Sequence, residues 1–474
     1  MLFNSLQFGI FFIIVYGFYL ILDHKWRNRM LLMASYVFYG VWDWRFLSLI
    51  GVSTILDYAC GIKIYESNDI KKRKFFLFLS IFGNLSILGF FKYFNFFASN
   101  LQTLLNYFGF SIQPSFLHII LPVGISFYTF QTMSYTIDIY RKKMSPTRRF
   151  FDFSLFVAFF PQLIAGPIER ATNLLPQVLK PRRLTIEKFL EGYRLILWGL
   201  FKKVVVADRL GVYVDAVYGN VYHHSSMTFV LATFFFAFQI YCDFSGYSGI
   251  ARGLAKLMGF DIMVNFRNPY FSKNIKEFWQ RWHISLSSWL RDYLYIPLGG
   301  NREGFLKTNR NIFITMLLGG LWHGANWTFI VWGVLHSIYI MITRIVLEVF
   351  KKPFKDKKEN GIFNKILNIA VTFTIVLLTW IFFRAENLTD ALYILKSIFS
   401  PYVLLFIKGK ANVVYGFMGI LVVILLEYRS RNNIMGDVLQ FRPVAVEWTV
   451  HYLVIFAIIL FGVYGGEQFI YFQF

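Results

Sequence analysis

The chain has 474 residues, of which 57% are hydrophobic and only 16% charged, with a formal net charge of +22. Soluble domains carry about 25% charged residues, so this composition excludes a soluble globular protein and predicts an all-α, polytopic integral membrane protein. The positive charge lies in short runs between apolar stretches, at 24–29, 71–74, 141–143, 148–149, 180–183 and 351–358. This pattern is typical of loops facing anionic lipid headgroups, and we expect no nucleic-acid partner.

The first third of the chain contains long apolar runs bounded by basic loops. A membrane-spanning helix needs about 20 apolar residues. Phe3–Leu22 fits a first, retained span with the N-terminus outside. Met30–Tyr65 is broken at 42–45 and lies between two basic loops, which predicts two crossings. Phe75–Phe97 is the next predicted span, followed by Ile119–Tyr140, which Pro122 and Gly124 interrupt.

The centre of the chain is less regular. Phe151–Ile168 contains two prolines and a glycine, which predicts a re-entrant segment shielded by protein. Phe189–Val206 mixes apolar and basic residues, as a tilted or interfacial helix would, and Met227–Phe260 predicts a long helix. Asn274–Leu298 interleaves tryptophan with arginine, which predicts one or two short amphipathic helices at the cytoplasmic surface.

The last third predicts plainer spans. They are an apolar run from Asn311 to Phe350, taken as one helix, and runs near 364–384, 389–407, 412–427 and 446–464. The sequence therefore predicts a single membrane domain over 1–474, with about ten or eleven passes plus re-entrant segments.

His323 lies inside the apolar run, between Trp322 and Gly324. Hydrocarbon offers no hydrogen-bond partner, so this imidazole must face protein or a water-filled cavity, and an ionisable group at that depth is a candidate functional residue. The glycines around it would let helices approach closely and leave room for a substrate. The alternative is a buried histidine that bonds a backbone carbonyl.

Two other polar residues lie in apolar surroundings. On a single helix, His336 would sit roughly 20 Å along the axis from His323, as a packed or cavity-lining residue. Asp243 needs a partner inside its apolar helix, and structural pairing with an arginine is favoured over catalysis.

A neutral histidine in a low-dielectric chamber is a good general base, because burial disfavours its charged form. Acyl transfer from a thioester to a hydroxyl needs such a base and donors for the oxyanion. The sequence contains no nucleotide-binding, zinc-protease or serine-hydrolase motif, so we expect no metal and no tightly bound cofactor.

Five strings resemble the membrane-bound O-acyltransferase family, and within it the bacterial alginate O-acetylase branch. They are FPQLIAGPIER (160–170), QIYCDFSGYSGIARGLAKLMGF (239–260), FRNPY (266–270), EFWQRWHISLSSWLRDYLYIPLGGNR (277–302) and GLWHGANWTFIVWG (320–333). The resemblance implies a helical bundle around a central funnel, with an acyl donor entering from the cytoplasm and an acceptor waiting outside.

The resemblance also implies roles for residues. His323 matches the family's histidine, and His283 its second polar position. We expect His323 to activate the acceptor hydroxyl and His283 to position the donor thioester at the cytoplasmic mouth. The residues expected to line the substrate path are Arg281, Trp282, Ser285, Trp322, Asn326 and Asp243.

The implied function is O-acetylation of an exported polysaccharide at the bacterial inner membrane, with acetyl-CoA as donor and a periplasmic or membrane-anchored acetyltransferase as partner. An alternative within the family is D-alanyl transfer from a carrier protein to teichoic acid. A solute transporter is a third hypothesis, because broken helices and buried charges also occur in transporters, although the sequence contains no paired repeats.

Overall fold

The structure is a computed structural model that describes residues 1–110, 117, 119–164, 166–349, 361–401, 403–407, 409–431, 437–464 and 469–470. All regular elements in these ranges are helical, which confirms the predicted all-α class. The basic run predicted at 351–358 lies outside the described residues. The Cα positions group into two compact units, residues 1–193 with 251–263 and residues 194–250 with 264–474.

The first unit contains nine helices in its described part. They are α1 (Leu6–Ile21), α2 (His24–Asp43), α3 (Leu47–Glu66), α4 (Ile70–Leu88), α5 (Phe94–Tyr107), α6 (Ile125–Tyr140), α7 (Phe150–Ala158), α8 (Phe160–Leu163) and α9 (Ala171–Leu179). Two further helices, α10 (Ile186–Leu200) and α12 (Ser226–Leu257), contribute residues to both units.

The second unit contains the following helices in its described part: α11 (Asp208–Tyr218), α13 (Ile275–Arg281), α14 (Ile284–Leu290), α15 (Phe305–His323), α16 (Trp327–Val349), α17 (Ile362–Arg384), α18 (Leu388–Ile398), α19 (Lys410–Ser430) and α20 (Val444–Phe461). Wider π-helical turns occur at Gly89–Tyr93, Phe201–Ala207 and Arg291–Tyr295.

Seven helical stretches in the described residues are long and apolar enough to cross a membrane. They are His24–Glu66, Ile70–Tyr107, Ser226–Leu257, Trp327–Val346, Ile362–Arg384, Lys410–Ser430 and Val444–Phe461. The shorter apolar helix Leu6–Ile21 corresponds to the first predicted span. The chain is a multi-pass membrane protein, and the total of ten or eleven passes stays a prediction.

The helix breaks in the first unit occur where the sequence places them. The break predicted at 42–45 is a 3₁₀ turn, Trp44–Phe46, in which the Asp43 carboxylate accepts from the backbone N–H of Arg45 at 3.0 Å. The predicted run from Ile119 becomes helical only at Ile125, because Gly124 adopts a left-handed φ of 76°. A separate short helix begins at Phe160 with Pro161 in its first turn, as expected for the broken segment 151–168.

Two predicted elements differ from the structure. The run near 389–407 is helical only over Leu388–Ile398, and Pro401 lacks the N–H that would continue the helix. The run 311–350 is two helices and not one. Its first helix ends at His323 because Gly324 is extended, at φ −164° and ψ 152°. Asn326 then accepts from the backbone N–H of Thr328 at 3.1 Å, at the start of the second helix.

The two halves of this hairpin, α15 and α16, touch backbone to backbone. A Cβ at Gly320 would collide with the carbonyl oxygen of Phe329, and one at Gly333 with the carbonyl oxygen of Met316. Only glycine permits so close an approach, which is the role predicted for the glycines beside His323. The chain therefore reverses direction immediately after that histidine.

We expect Gly333→Ala to destabilise the protein, because the added methyl group must push α15 and α16 apart. Overpacking of this kind costs about 1–3 kcal/mol, so the thermal unfolding midpoint in detergent micelles should fall clearly below that of the wild type. The matched control is Gly17→Ala, since no atom lies within 4 Å of a Cβ at that helical position. Equal midpoints for the two variants would contradict the close packing.

Candidate functional site

The fold brings His283 and His323 together in the second unit. Their ring centroids are 6.3 Å apart. His283 has an exposed fraction of 0% and His323 of 4%, so both imidazoles are withdrawn from bulk solvent. His323 is the last residue of α15, and His283 lies between α13 and α14. Two histidines that are forty residues apart in sequence therefore face one small volume.

The backbone around His283 is held in an uncommon conformation. His283 has φ 42° and ψ 54°, a left-handed geometry that is rare outside glycine and often marks functional sites. Asn265 holds the segment, because its carbonyl accepts from the N–H of Ile284 at 2.9 Å and its side-chain oxygen from the Ser285 hydroxyl at 2.6 Å. Its side-chain NH₂ also donates to Ser248 at 3.1 Å. Ser285 thus positions His283, and Asn265 is a site residue that the sequence analysis missed.

Aromatic rings form the walls around the two histidines. Phe244 stands edge-on to His283, at 4.7 Å and 88°. Trp322 lies between the histidines, with ring centroids 5.9 Å from His283 and 5.1 Å from His323. Trp332 and Phe383 contact His323 at 5.1 and 5.2 Å. Such walls keep the local dielectric low, and burial lowers the pKa of His283, which favours its neutral form.

The other predicted lining residues take different places. Trp282 is buried and packs against Phe266 at 5.0 Å and Trp380 at 5.0 Å. Arg281 is partly exposed, and its guanidinium pairs with Glu277 at 2.6 Å. The Asn326 amide bonds the Glu386 carbonyl at 2.8 Å and caps α16. Asn326 therefore shapes the hairpin turn that follows His323.

Asp243 forms a buried ion pair, but its partner is a lysine and not the expected arginine. The Lys203 ammonium lies 2.8 Å from Asp243 and 2.8 Å from Asp208. Burial opposes the charge on Lys203, yet the two carboxylates outweigh it and raise its pKa. The second Asp243 oxygen accepts from the backbone N–H of Ile470 at 2.9 Å. The segment 189–206, predicted to be a tilted or interfacial helix, contains two lysines near its end, Lys202 and Lys203, and both are buried.

His336 belongs to the same aromatic cluster as His323. Its ring centroid is 4.7 Å from that of Trp332, which in turn contacts His323. The prediction that a single helix separates the two histidines is wrong, because the turn at Gly324 folds α16 back along α15. Sequence spacing could not reveal this proximity.

Comparisons with known proteins match most of the chain. A profile of the membrane-bound O-acyltransferase family matches residues 74–385. The chain is 43% identical over 404 residues to a probable alginate O-acetylase of Pseudomonas putida, covering 84% of this chain and 80% of the relative. It is 36% identical over 430 residues to a peptidoglycan O-acetyltransferase of Helicobacter pylori, covering 84% and 79%.

A more distant relative is a teichoic acid D-alanyltransferase of Streptococcus thermophilus, 30% identical over 285 residues, covering 55% of this chain and 68% of the relative. The matched family region contains both histidines and the aromatic residues around them. The chain is an O-acyltransferase, which replaces the transporter hypothesis, and it belongs to the membrane-bound O-acyltransferase family.

Proposed function

We propose that this membrane O-acyltransferase moves an acetyl group from cytoplasmic acetyl-CoA across the bacterial inner membrane, for O-acetylation of an exported polysaccharide. The observation that carries the proposal is the pair of buried histidines, His283 and His323, inside aromatic walls. The more similar relatives, whose names describe O-acetylation of alginate and of peptidoglycan, support acetyl as the acyl group.

In the proposed mechanism His323 acts as the base. A ring nitrogen of His323 takes the proton of the acceptor hydroxyl as its oxygen attacks the thioester carbonyl carbon. The carbon–sulfur bond then breaks, and the protonated imidazole returns the proton to the leaving thiolate. Exclusion of water favours transfer over hydrolysis. In this scheme water is excluded by the aromatic walls of Trp322, Trp332 and Phe383.

His283 is proposed to position the thioester. Burial lowers its pKa to about 3, so its imidazole stays neutral and can offer one N–H donor and one acceptor nitrogen near neutral pH. Its strained backbone, held by Asn265 and Ser285, keeps the ring aimed consistently. In this scheme His323 activates the acceptor and His283 positions the donor, and the two rings are 6.3 Å apart.

A partner completes the proposed pathway. The immediate acceptor is proposed to be a periplasmic or membrane-anchored acetyltransferase, which passes the acetyl group to the polysaccharide. The D-alanyl alternative, in which a carrier protein is the donor, finds weaker support, because the teichoic acid relative matches only 55% of the chain. The two donors are distinguished by supplying purified protein with acetyl-CoA or with a D-alanyl carrier protein and measuring which of them loses its acyl group.

We expect His323→Ala to reduce acetyl-CoA turnover by about 10²–10⁴-fold, the range typical of a lost general base. His283→Ala should also reduce turnover strongly. The measurements are release of free CoA by protein in proteoliposomes and O-acetylation of surface glycan in cells lacking the native chain. His223→Ala, in an exposed turn, is the control and should match the wild type. Wild-type turnover by a correctly folded His323→Ala protein would refute the assignment.

Stability should fall with acidification because of His283. The unfolded chain binds a proton at this residue below its ordinary pKa of 6.5, whereas the folded protein binds it only near pH 3. The free energy of unfolding should therefore decrease as pH falls from 6.5 towards 3, by up to about 1.4 kcal/mol per pH unit.

The variant that checks this is His283→Asn, because asparagine tolerates the left-handed backbone and does not titrate. Its thermal midpoint should fall less between pH 7 and pH 5 than that of the wild type. Equal losses in the two proteins would mean that His283 is not held neutral by burial.

A further inference from the structure

His336 is fixed in one tautomer by Thr379. The Thr379 hydroxyl has a single hydrogen, which it donates to the Val376 carbonyl at 2.7 Å. The same oxygen lies 3.1 Å from His336 Nε2. With the hydroxyl hydrogen in the shorter bond to Val376, this oxygen is the acceptor and Nε2 carries the proton. A neutral His336 then presents Nδ1 as a bare acceptor. Among the described residues no group bonds this atom, although the ring is fully buried.

Two indole N–H donors without a hydrogen-bond partner in the described part of the chain belong to the same cluster of rings. Trp332 and Trp380 have exposed fractions of 1% and 0%, and no described residue accepts from either indole N–H. Their ring centroids are 6.0 Å apart, and Trp332 is 4.7 Å from His336. A buried polar group without a partner costs about 1–3 kcal/mol. One acceptor and two donors left unpaired in one cluster therefore indicate a ligand that bonds them.

The chemistry of the cluster fits a secondary amide. The carbonyl oxygen of an amide has two lone pairs for the two indole N–H groups, and its N–H can donate to Nδ1. Phe278 at 6.2 Å and Trp279 at 5.0 Å from His336 supply apolar neighbours for the methylene groups on either side of such an amide. The pantetheine arm of CoA has this composition, with two amides between its thioester and its phosphates.

The direction of α16 places the cluster on the donor side of His323. The start of α15 and the end of α16 are both flanked by basic residues in the sequence. They are Arg302, Lys307 and Arg310 before or within α15 and the run 351–358 after α16. The positive-inside rule makes these ends cytoplasmic. His336 lies nine residues, or about 14 Å, from the first residue of α16 towards that end.

We propose that His336, Trp332 and Trp380 bind an amide of the pantetheine arm of the acyl donor and so set the depth at which its thioester meets His323. This inference rests on the proposed use of acetyl-CoA. His336 is a positioning residue in this scheme, and Thr379 acts through it by holding the tautomer.

The test is Thr379→Val, which keeps the shape of the side chain and removes the hydroxyl, with Thr379→Ser as the matched control. Turnover of acetyl-CoA is compared with turnover of S-ethyl thioacetate, a thioester without an amide, by full-length protein in proteoliposomes. We expect the KM for acetyl-CoA to rise about tenfold in the valine variant, equivalent to about 1.4 kcal/mol, with kcat within threefold. Both kinetic constants for S-ethyl thioacetate should stay as in the wild type.

Trp380→Phe removes one donor while keeping an aromatic ring, and it should show the same selective rise. Unchanged KM values for acetyl-CoA in correctly folded valine and phenylalanine variants would overturn the inference, as would equal losses with both thioesters. If His323→Ala also retained turnover, the proposed function itself would fail. If His323→Ala is inactive and only these variants behave as wild type, the amide subsite alone is refuted.

Discussion

The backbone contact between α15 and α16 is the constraint on which the rest of the site depends. Gly320 and Gly333 leave no space for a Cβ, so the two helices lie closer than side chains would allow. The chain can then turn back directly after His323, and Trp332 and His336 return to the same cluster of rings. Wider spacing would leave room for water and would separate His323 from the aromatic residues of α16 that surround it.

Burial then decides the chemistry that the site can perform. A low-dielectric enclosure of tryptophan and phenylalanine rings disfavours a charged imidazole, which suits proton removal from a hydroxyl and disfavours uses that need a fixed positive charge. Positive charge is placed elsewhere, at Lys203, where Asp208 and Asp243 neutralise it. Pairing of this kind is what allows an ammonium group to lie inside the protein.

The ion pair and the histidines are linked through α12. Asp243 and Phe244 are consecutive residues, the first bonded to Lys203 and to the N–H of Ile470, the second edge-on to His283. Phe469 packs against Phe244 at 5.7 Å. The Lys203–Asp243 ion pair therefore helps to hold Phe244, and through Phe244 the His283 ring, in place. This structural role accounts for the presence of Asp243 near the site.

Local patterns in the sequence were sufficient to predict the helical class, the breaks at 42–45 and Gly124, and the burial of His323. They also predicted one or two short helices over 274–298, where the structure has two. Each of these features follows from hydropathy or from the backbone preference of nearby residues. The motifs were sufficient for the family. The partners of Asp243, the role of Asn265 and the nearness of His336 depend on contacts between residues far apart in the chain. A turn of three residues after His323 reverses the direction of the helix, and helical spacing carries no information across such a reversal. Only the tertiary structure could therefore bring His283, His323 and His336 into one aromatic cluster.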